Sequence, residues 1–107
     1  MTVQERLQDL HVGNTILQQL GGNRFRVMTG ASSFLAGKNS LQFNLPTRLT
    51  KYGINKCVIT LEATDLYTIS FYKVRGVNCT LMHQEEMVYF DQLQDRFTET
   101  TGLDTHL

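Results

Sequence analysis

Apolar residues recur along this chain with two different periods, and the changes of period divide it into elements. Val3, Leu7, Leu10, Leu17 and Leu20 fall three, four or seven residues apart and form one stripe on a helix. Thr2 followed by Glu5 is a capping-box pair, in which each side chain satisfies a free amide of the first turn. The spacing predicts a helix over residues 2–20. Gly13 and Asn14 interrupt the stripe, which predicts a kink or two shorter helices. Gly21-Gly22 is the expected stop, because glycine accepts the left-handed conformation that closes a helix.

Beyond the glycines the period becomes two. Arg24-Phe25-Arg26-Val27-Met28 alternates charged and apolar positions, as a half-buried strand does. Residues 30–38 read as a loop. Leu41-Gln42-Phe43-Asn44-Leu45 alternates again up to Pro46, and residues 47–53 are polar and irregular. Cys57, Ile59 and Leu61 share one face of a third strand, and Glu62-Ala63-Thr64-Asp65 is the turn after it. Tyr67, Ile69 and Phe71 share one face of a fourth strand, with Ser70 and Tyr72 on the other. Arg75-Gly76 turns into a fifth strand carrying Val77, Cys79 and Leu81.

The helical period then returns. Phe90, Leu93 and Phe97 make one face, and Gln92, Asp95, Arg96 and Glu99 the opposite one. Gly102 is a natural stop, with Leu103 folding back on the last turn. The pattern predicts a single α+β domain over residues 1–107. An antiparallel sheet of about five strands is flanked by an N-terminal and a C-terminal helix, in the order α-β-β-β-β-β-α.

Length and composition agree with that reading. A chain of 107 residues can bury a core without disulfides or metal. Cys57 and Cys79 both lie in apolar alternation, so two buried reduced thiols are expected, the alternative being a disulfide between neighbouring strands. Met1 leads directly into polar helical sequence, and nothing there reads as a signal peptide. Asn78-Cys79-Thr80 is therefore taken as a chance match to a glycosylation acceptor. No apolar stretch approaches the roughly 20 residues that span a bilayer, so no membrane partner is expected.

Charge adds a candidate surface. The formal net charge is zero, yet no acidic residue stands between Asp9 and Glu62. Arg24, Arg26, Lys38, Lys51 and Lys56 in that interval form a candidate anion or nucleic-acid patch. From Met82 onward Glu85, Glu86, Asp91, Asp95, Glu99 and Asp104 face a single arginine, Arg96. Three readings are open. The two regions neutralise each other in the fold. Or the basic one meets nucleic acid, with Phe25, Phe34, Phe43 or Tyr52 stacking on bases. Or charge steers association with a protein, which makes Asp91, Asp95 and Glu99 a candidate acidic partner-binding face. A net charge of zero counts against the nucleic-acid reading, because dedicated binders of this size are usually basic overall.

The remaining motifs do not assemble chemistry. Six residues separate Gly30 from Gly37, where a phosphate loop needs four, and the segment leads into a strand. His11, His83 and His106 stand at no metal-ligand spacing from each other or from a cysteine. His83-Gln84-Glu85-Glu86 reads as a solvated strand end before an acidic first turn. Ser32-Ser33 lacks a nucleophile elbow, and burial in apolar alternation raises a thiol pKa. Met28-Thr29-Gly30-Ala31 reads as a glycine turn. No catalytic residue, metal site or cofactor is expected, and the chain reads as a non-enzyme.

Several stretches together resemble a known group: Leu20-Gly21-Gly22-Asn23-Arg24-Phe25, Met28-Thr29-Gly30-Ala31, and Leu41-Gln42-Phe43-Asn44-Leu45-Pro46. Ile54-Asn55, Ile59-Thr60-Leu61, Asp65-Leu66-Tyr67, Arg75-Gly76, Leu93-Gln94-Asp95-Arg96-Phe97 and Thr101-Gly102-Leu103-Asp104-Thr105-His106-Leu107 belong with them. From about residue 14 to 107 the chain resembles a group of short proteins, without assigned activity, carried by bacteriophages, prophages and plasmids. The resemblance implies the cytoplasm of a bacterial host. It also implies an accessory binding protein, such as an inhibitor of a host defence system that acts by binding a host protein. An uncovered sheet edge would in addition favour a homodimer. The alternative is a small nucleic-acid-binding module using the basic 24–56 region.

Overall fold

The computed structural model describes residues 2–105. Helix α1 spans Val3–Leu20 and α2 spans Asn23–Thr29. Strands β1 (Ser32–Gly37), β2 (Ser40–Asn44), β3 (Lys56–Leu61), β4 (Tyr67–Arg75) and β5 (Asn78–Val88) follow, and α3 (Leu93–Thr101) is last. Short 3-10 turns occupy Thr47–Leu49, Lys51–Gly53 and Phe90–Gln92. The strands form one antiparallel meander in the order β1-β2-β3-β4-β5. The fold is the α+β arrangement that the pattern predicts, with one additional helix.

That helix is the main correction. Residues 24–28 are helical, and the strand they were expected to form is supplied by residues 32–37, expected as loop. Gly22, at φ 61° and ψ −131°, turns the chain through a conformation that only glycine adopts readily. In the helix only Phe25 and Thr29, one turn apart, point inward, and Val27 is exposed. Phe25 packs edge-on against Phe43 and Phe97, with ring centroids 5.3 and 5.1 Å away. Period two was present in the residues, but a turn of helix places Phe25 in the core equally well.

Helix α1 is continuous, without the expected kink. Thr2 caps it by accepting from the Glu5 N–H at 3.1 Å, and Gly21 ends it at φ 126°. Gly13 lies against β1, where an added Cβ would stand 3.0 Å from that of Ala36. The glycine thus permits close helix-to-strand approach. The face α1 buries is Gly13, Ile16 and Leu20. The N-terminal part of the expected stripe, Val3, Leu7 and Leu10, is exposed instead, with Leu7 at 61%.

The core fills one face of the sheet. Leu41 and Phe43, Cys57 and Ile59, and Tyr67, Ile69 and Phe71 are buried in register across β2, β3 and β4. From α3, Leu93 and Phe97 close over them, and Leu103 is buried behind, as expected. Phe90 is not: at 62% exposure it sits in the 3-10 turn before α3. Tyr67 donates to Gln19 Oε1 at 2.6 Å, and Gln94 donates to the Leu20 carbonyl at 2.8 Å, tying sheet and α3 to α1. Among the described residues no helix covers the opposite face of the sheet, with Gln42, Val58, Ser70, Tyr72 and Gln84.

The two cysteines differ from the expectation of two buried thiols. Cys57 is buried, whereas Cys79 is exposed near the start of β5, and both are free. Strand β4 lies between them, which rules out the neighbouring-strand disulfide.

Candidate functional site

The expected basic residues are spread over several parts of the fold. In a strand Arg24 and Arg26 would share a face; in α2 they diverge by about 200° around the helix axis. The Arg26 guanidinium lies 5.2 Å from the ring centre of Phe34. Lys38 is in the β1–β2 turn, whereas Lys56 opens β3 opposite Asn44, at the other end of β2. Four residues of strand, about 14 Å, separate those two ends. Lys51 extends along Gly102 and donates to the Glu99 carbonyl at 3.4 Å, so it serves the carboxyl end of α3, where a cation is favoured. Of the four rings considered for base stacking, Phe25 and Phe43 are fully buried and Phe34 is half-buried; Tyr52 alone is exposed.

The acidic residues are closer together. Asp95 and Glu99 stand one turn apart on exposed positions of α3, and Asp91 is exposed in the preceding 3-10 turn. Arg96 bridges Glu85 of β5 and Glu99, at 3.6 and 3.8 Å. With Lys51 also beside α3, part of the charge asymmetry is cancelled where the two regions meet.

At that meeting point the surface is concave. Lys51, Tyr52, Met82, His83, Glu85 and Glu99 line a groove of about 500 Å³ between the edge strand β5, α3 and the 3-10 turn. Each part has a local cause. Register slips between Phe71 and Tyr72, leaving Met82 as the extra residue of a bulge in β5. His83 and Glu85 pair with Phe71 and Ile69 and so turn toward the helix-covered side. The His83 ring stacks on Phe71, 6.1 Å between centroids.

Tyr52 is the unusual member. It has φ 59° and ψ 16°, Gly53 has φ 72°, and Ile54 N–H donates to the Lys51 carbonyl at 3.2 Å. Positive φ at both central residues is the type I′ turn, which favours asparagine, aspartate or glycine. A bulky residue in this conformation is strained. Its side chain is nonetheless 77% exposed, so core packing does not compensate the strain.

Sequence reasoning missed this groove. Lys51, Tyr52 and Glu99 each stand out in the sequence, in the basic patch, as a stacking ring and in the acidic face respectively, but nothing there joins them, and His83 and Glu85 read as a solvated strand end. The only local signal is a non-glycine residue before Gly53, which does not reveal a left-handed backbone. Among the described residues no group of three His, Cys, Asp or Glu side chains gathers to hold a metal ion, and no helix is long and apolar enough to cross a membrane. Comparison with family models, with curated proteins and with solved structures found no match to the chain.

Proposed function

We propose that this chain is a non-enzymatic accessory binding protein whose partner protein docks on the groove beside Tyr52. The observation that carries the reading is Tyr52 itself: a large ring in a strained turn position, exposed at the mouth of a concave surface. Strain of this kind is worth roughly 1–3 kcal/mol and collects at ligand clamps and binding sites. Exposed aromatic residues with a polar tip are typical anchors of protein interfaces. The resemblance to proteins of mobile genetic elements supplies the setting, a bacterial cytoplasm. Host proteins, those of defence systems included, are the partners to examine, and a homodimer is a second form of the same binding behaviour. The test is capture of a host protein at fixed stoichiometry by the parent chain and by Tyr52→Asn and Tyr52→Phe. Tyr52→Asn is expected to lose the partner while folding normally, and Tyr52→Phe to retain most of it. Equal capture by all three would sink the reading.

A nucleic-acid module is the second reading. Arg24 and Arg26 are exposed, and no acid stands between Asp9 and Glu62. It requires affinity that falls steeply with salt and that drops when both arginines become alanine, as gel shifts on DNA and RNA would reveal.

A further inference from the structure

Strand β5 is an edge of the sheet, paired on one side by β4 alone. An edge presents unpaired N–H and C=O groups to whatever can adopt an extended conformation beside it. Two irregularities bound the usable part: the bulge at Met82, and Met87 at φ 57° within the slip between Ile69 and Tyr67. Between them lie residues 83–86, about 14 Å of strand. A slot this short takes one brief extended segment and resists open-ended sheet growth.

The chemistry along the slot is directional. On the helix-covered side, His83 and Glu85 turn into the groove and are joined there by Glu99, Tyr52 and Met82. On the other side Gln84 bonds to Ser70 at 3.0 Å. Among the described residues the groove carboxylates meet no donor at hydrogen-bond distance, only longer ion pairs: Glu85 is 3.6 Å from Arg96 and 3.9 Å from His83, and Glu99 is 3.8 Å from Arg96. These distances exceed hydrogen-bond length. Among the described residues the buried Oε2 of Glu85 accepts no hydrogen bond. Lys51 in the lining and Arg96 beside both carboxylates stand against Glu85 and Glu99, with Glu86 next along β5 and Asp95 one turn before Glu99. Two under-partnered carboxylates beside an exposed aromatic ring are complementary to a guanidinium or an ammonium group.

We infer that β5 accepts, as a sixth strand along residues 83–86, a short extended basic segment of the docked partner. An arginine or lysine of that segment enters the groove that Glu85 and Glu99 line, joining Arg96 as a further cation for the two carboxylates. This rests on the docking reading above and specifies the partner's chemistry. Strand addition supplies affinity through main-chain hydrogen bonds, and the alternate side chains supply specificity.

Three nine-residue peptides test it by amide-resolved NMR titration of the full chain. The first alternates Arg with Val, the second Glu with Val, and the third is the first with each Val replaced by Pro, which removes donors but keeps the charge. The Arg–Val peptide is expected to shift the amides of residues 82–87 and to slow their hydrogen exchange. Its affinity should fall at least tenfold in the doubly substituted Glu85→Gln, Glu99→Gln chain, whose melting curve checks its fold. The Glu and Pro peptides should bind at least tenfold more weakly. Equal binding of the Arg–Val and Pro peptides would overturn strand addition, and equal binding of the Arg and Glu peptides would overturn the basic specificity. Shifts confined to α1 or to the open sheet face, absence of binding at millimolar peptide, or a second copy seated on β5 would overturn both. If Tyr52→Asn loses a captured partner while the Arg–Val peptide does not bind, only this inference falls. If Tyr52→Asn leaves capture intact, the docking reading falls first.

Discussion

Tyr52 occupies a position at which a smaller residue would be more stable. Asparagine enters the left-handed region at lower cost than tyrosine, so Tyr52→Asn is expected to raise stability by about 1 kcal/mol. Urea denaturation gives this number independently of any partner, and a loss of stability would show that the ring is held by contacts after all. Cys57 and Tyr67 bear on stability in a different way. Burial holds the Cys57 thiol well above its usual value of 9.0, and burial raises Tyr67 above 10.0 against the opposing effect of its bond to Gln19. In both cases the folded state keeps its proton longer than the unfolded state does. Their contribution is complete below the unfolded pKa and is lost as pH rises through the folded one. Stability should therefore decline from about pH 9 through Cys57 and only from about pH 10 through Tyr67, by up to roughly 1.4 kcal/mol per pH unit for each group. Flat urea midpoints from pH 7.5 to 10 would contradict this. A thiol reagent should label Cys79 alone in the native protein and reach Cys57 only on unfolding.

Two elements end in the same way, and the similarity is written in the chain as Phe-x-x-x-Thr-Gly. In α2, Thr29 Oγ1 donates to the Phe25 carbonyl at 2.7 Å and accepts from the Ala31 N–H at 3.1 Å. In α3, Thr101 Oγ1 donates to the Phe97 carbonyl at 2.8 Å and accepts from the Leu103 N–H at 3.1 Å. Gly30 and Gly102 follow at φ 74° and 80°. Each threonine closes a short helix and satisfies a buried amide, while the phenylalanine one turn earlier enters the shared aromatic core. Thr29→Val and Thr101→Val should each lower stability by about 1–3 kcal/mol, because the amide is left without an acceptor. In the same helix region Phe97→Ala should cost roughly 3–5 kcal/mol. Phe90→Ala should stay within about 0.5 kcal/mol. Thermal melts of the four variants decide between them. Strands β2 to β4 were legible because their apolar positions follow one period without interruption; the terminal helices were legible from their cap and glycine stops, although Val3, Leu7, Leu10 and Phe90 of their expected stripes are exposed. The exchange between α2 and β1 was not, since Arg24 to Met28 satisfies period two, and Ser33, at φ 56°, breaks the alternation of β1. The groove was illegible for another reason: Tyr52, Glu85 and Glu99 are joined by sheet register and helix packing, and no local spacing relates them.

At the scale of the molecule, the helices shield one side of the sheet, and apolar residues remain outside. Val3, Leu7 and Leu10 are the most exposed run on α1. If a second copy covers them, light scattering should give a mass that doubles with concentration and returns to that of one chain in Leu7→Glu. A single-chain mass at every concentration would refute self-association by this route. The order of the strands has a further consequence, which concerns synthesis. Each strand pairs with the next in sequence, so the loops to be closed are short and the contact order of the sheet is low. Pairing of β1 through β4 needs nothing that the ribosome has yet to deliver. The aromatic core is different, because Phe97 touches Phe25, Phe43 and Phe71 and is made after all of them. A nascent chain can hence align its sheet early yet must keep those three rings unsealed until α3 emerges. The interval between the two events is when it is most open to chaperones, to proteases and to other copies of itself.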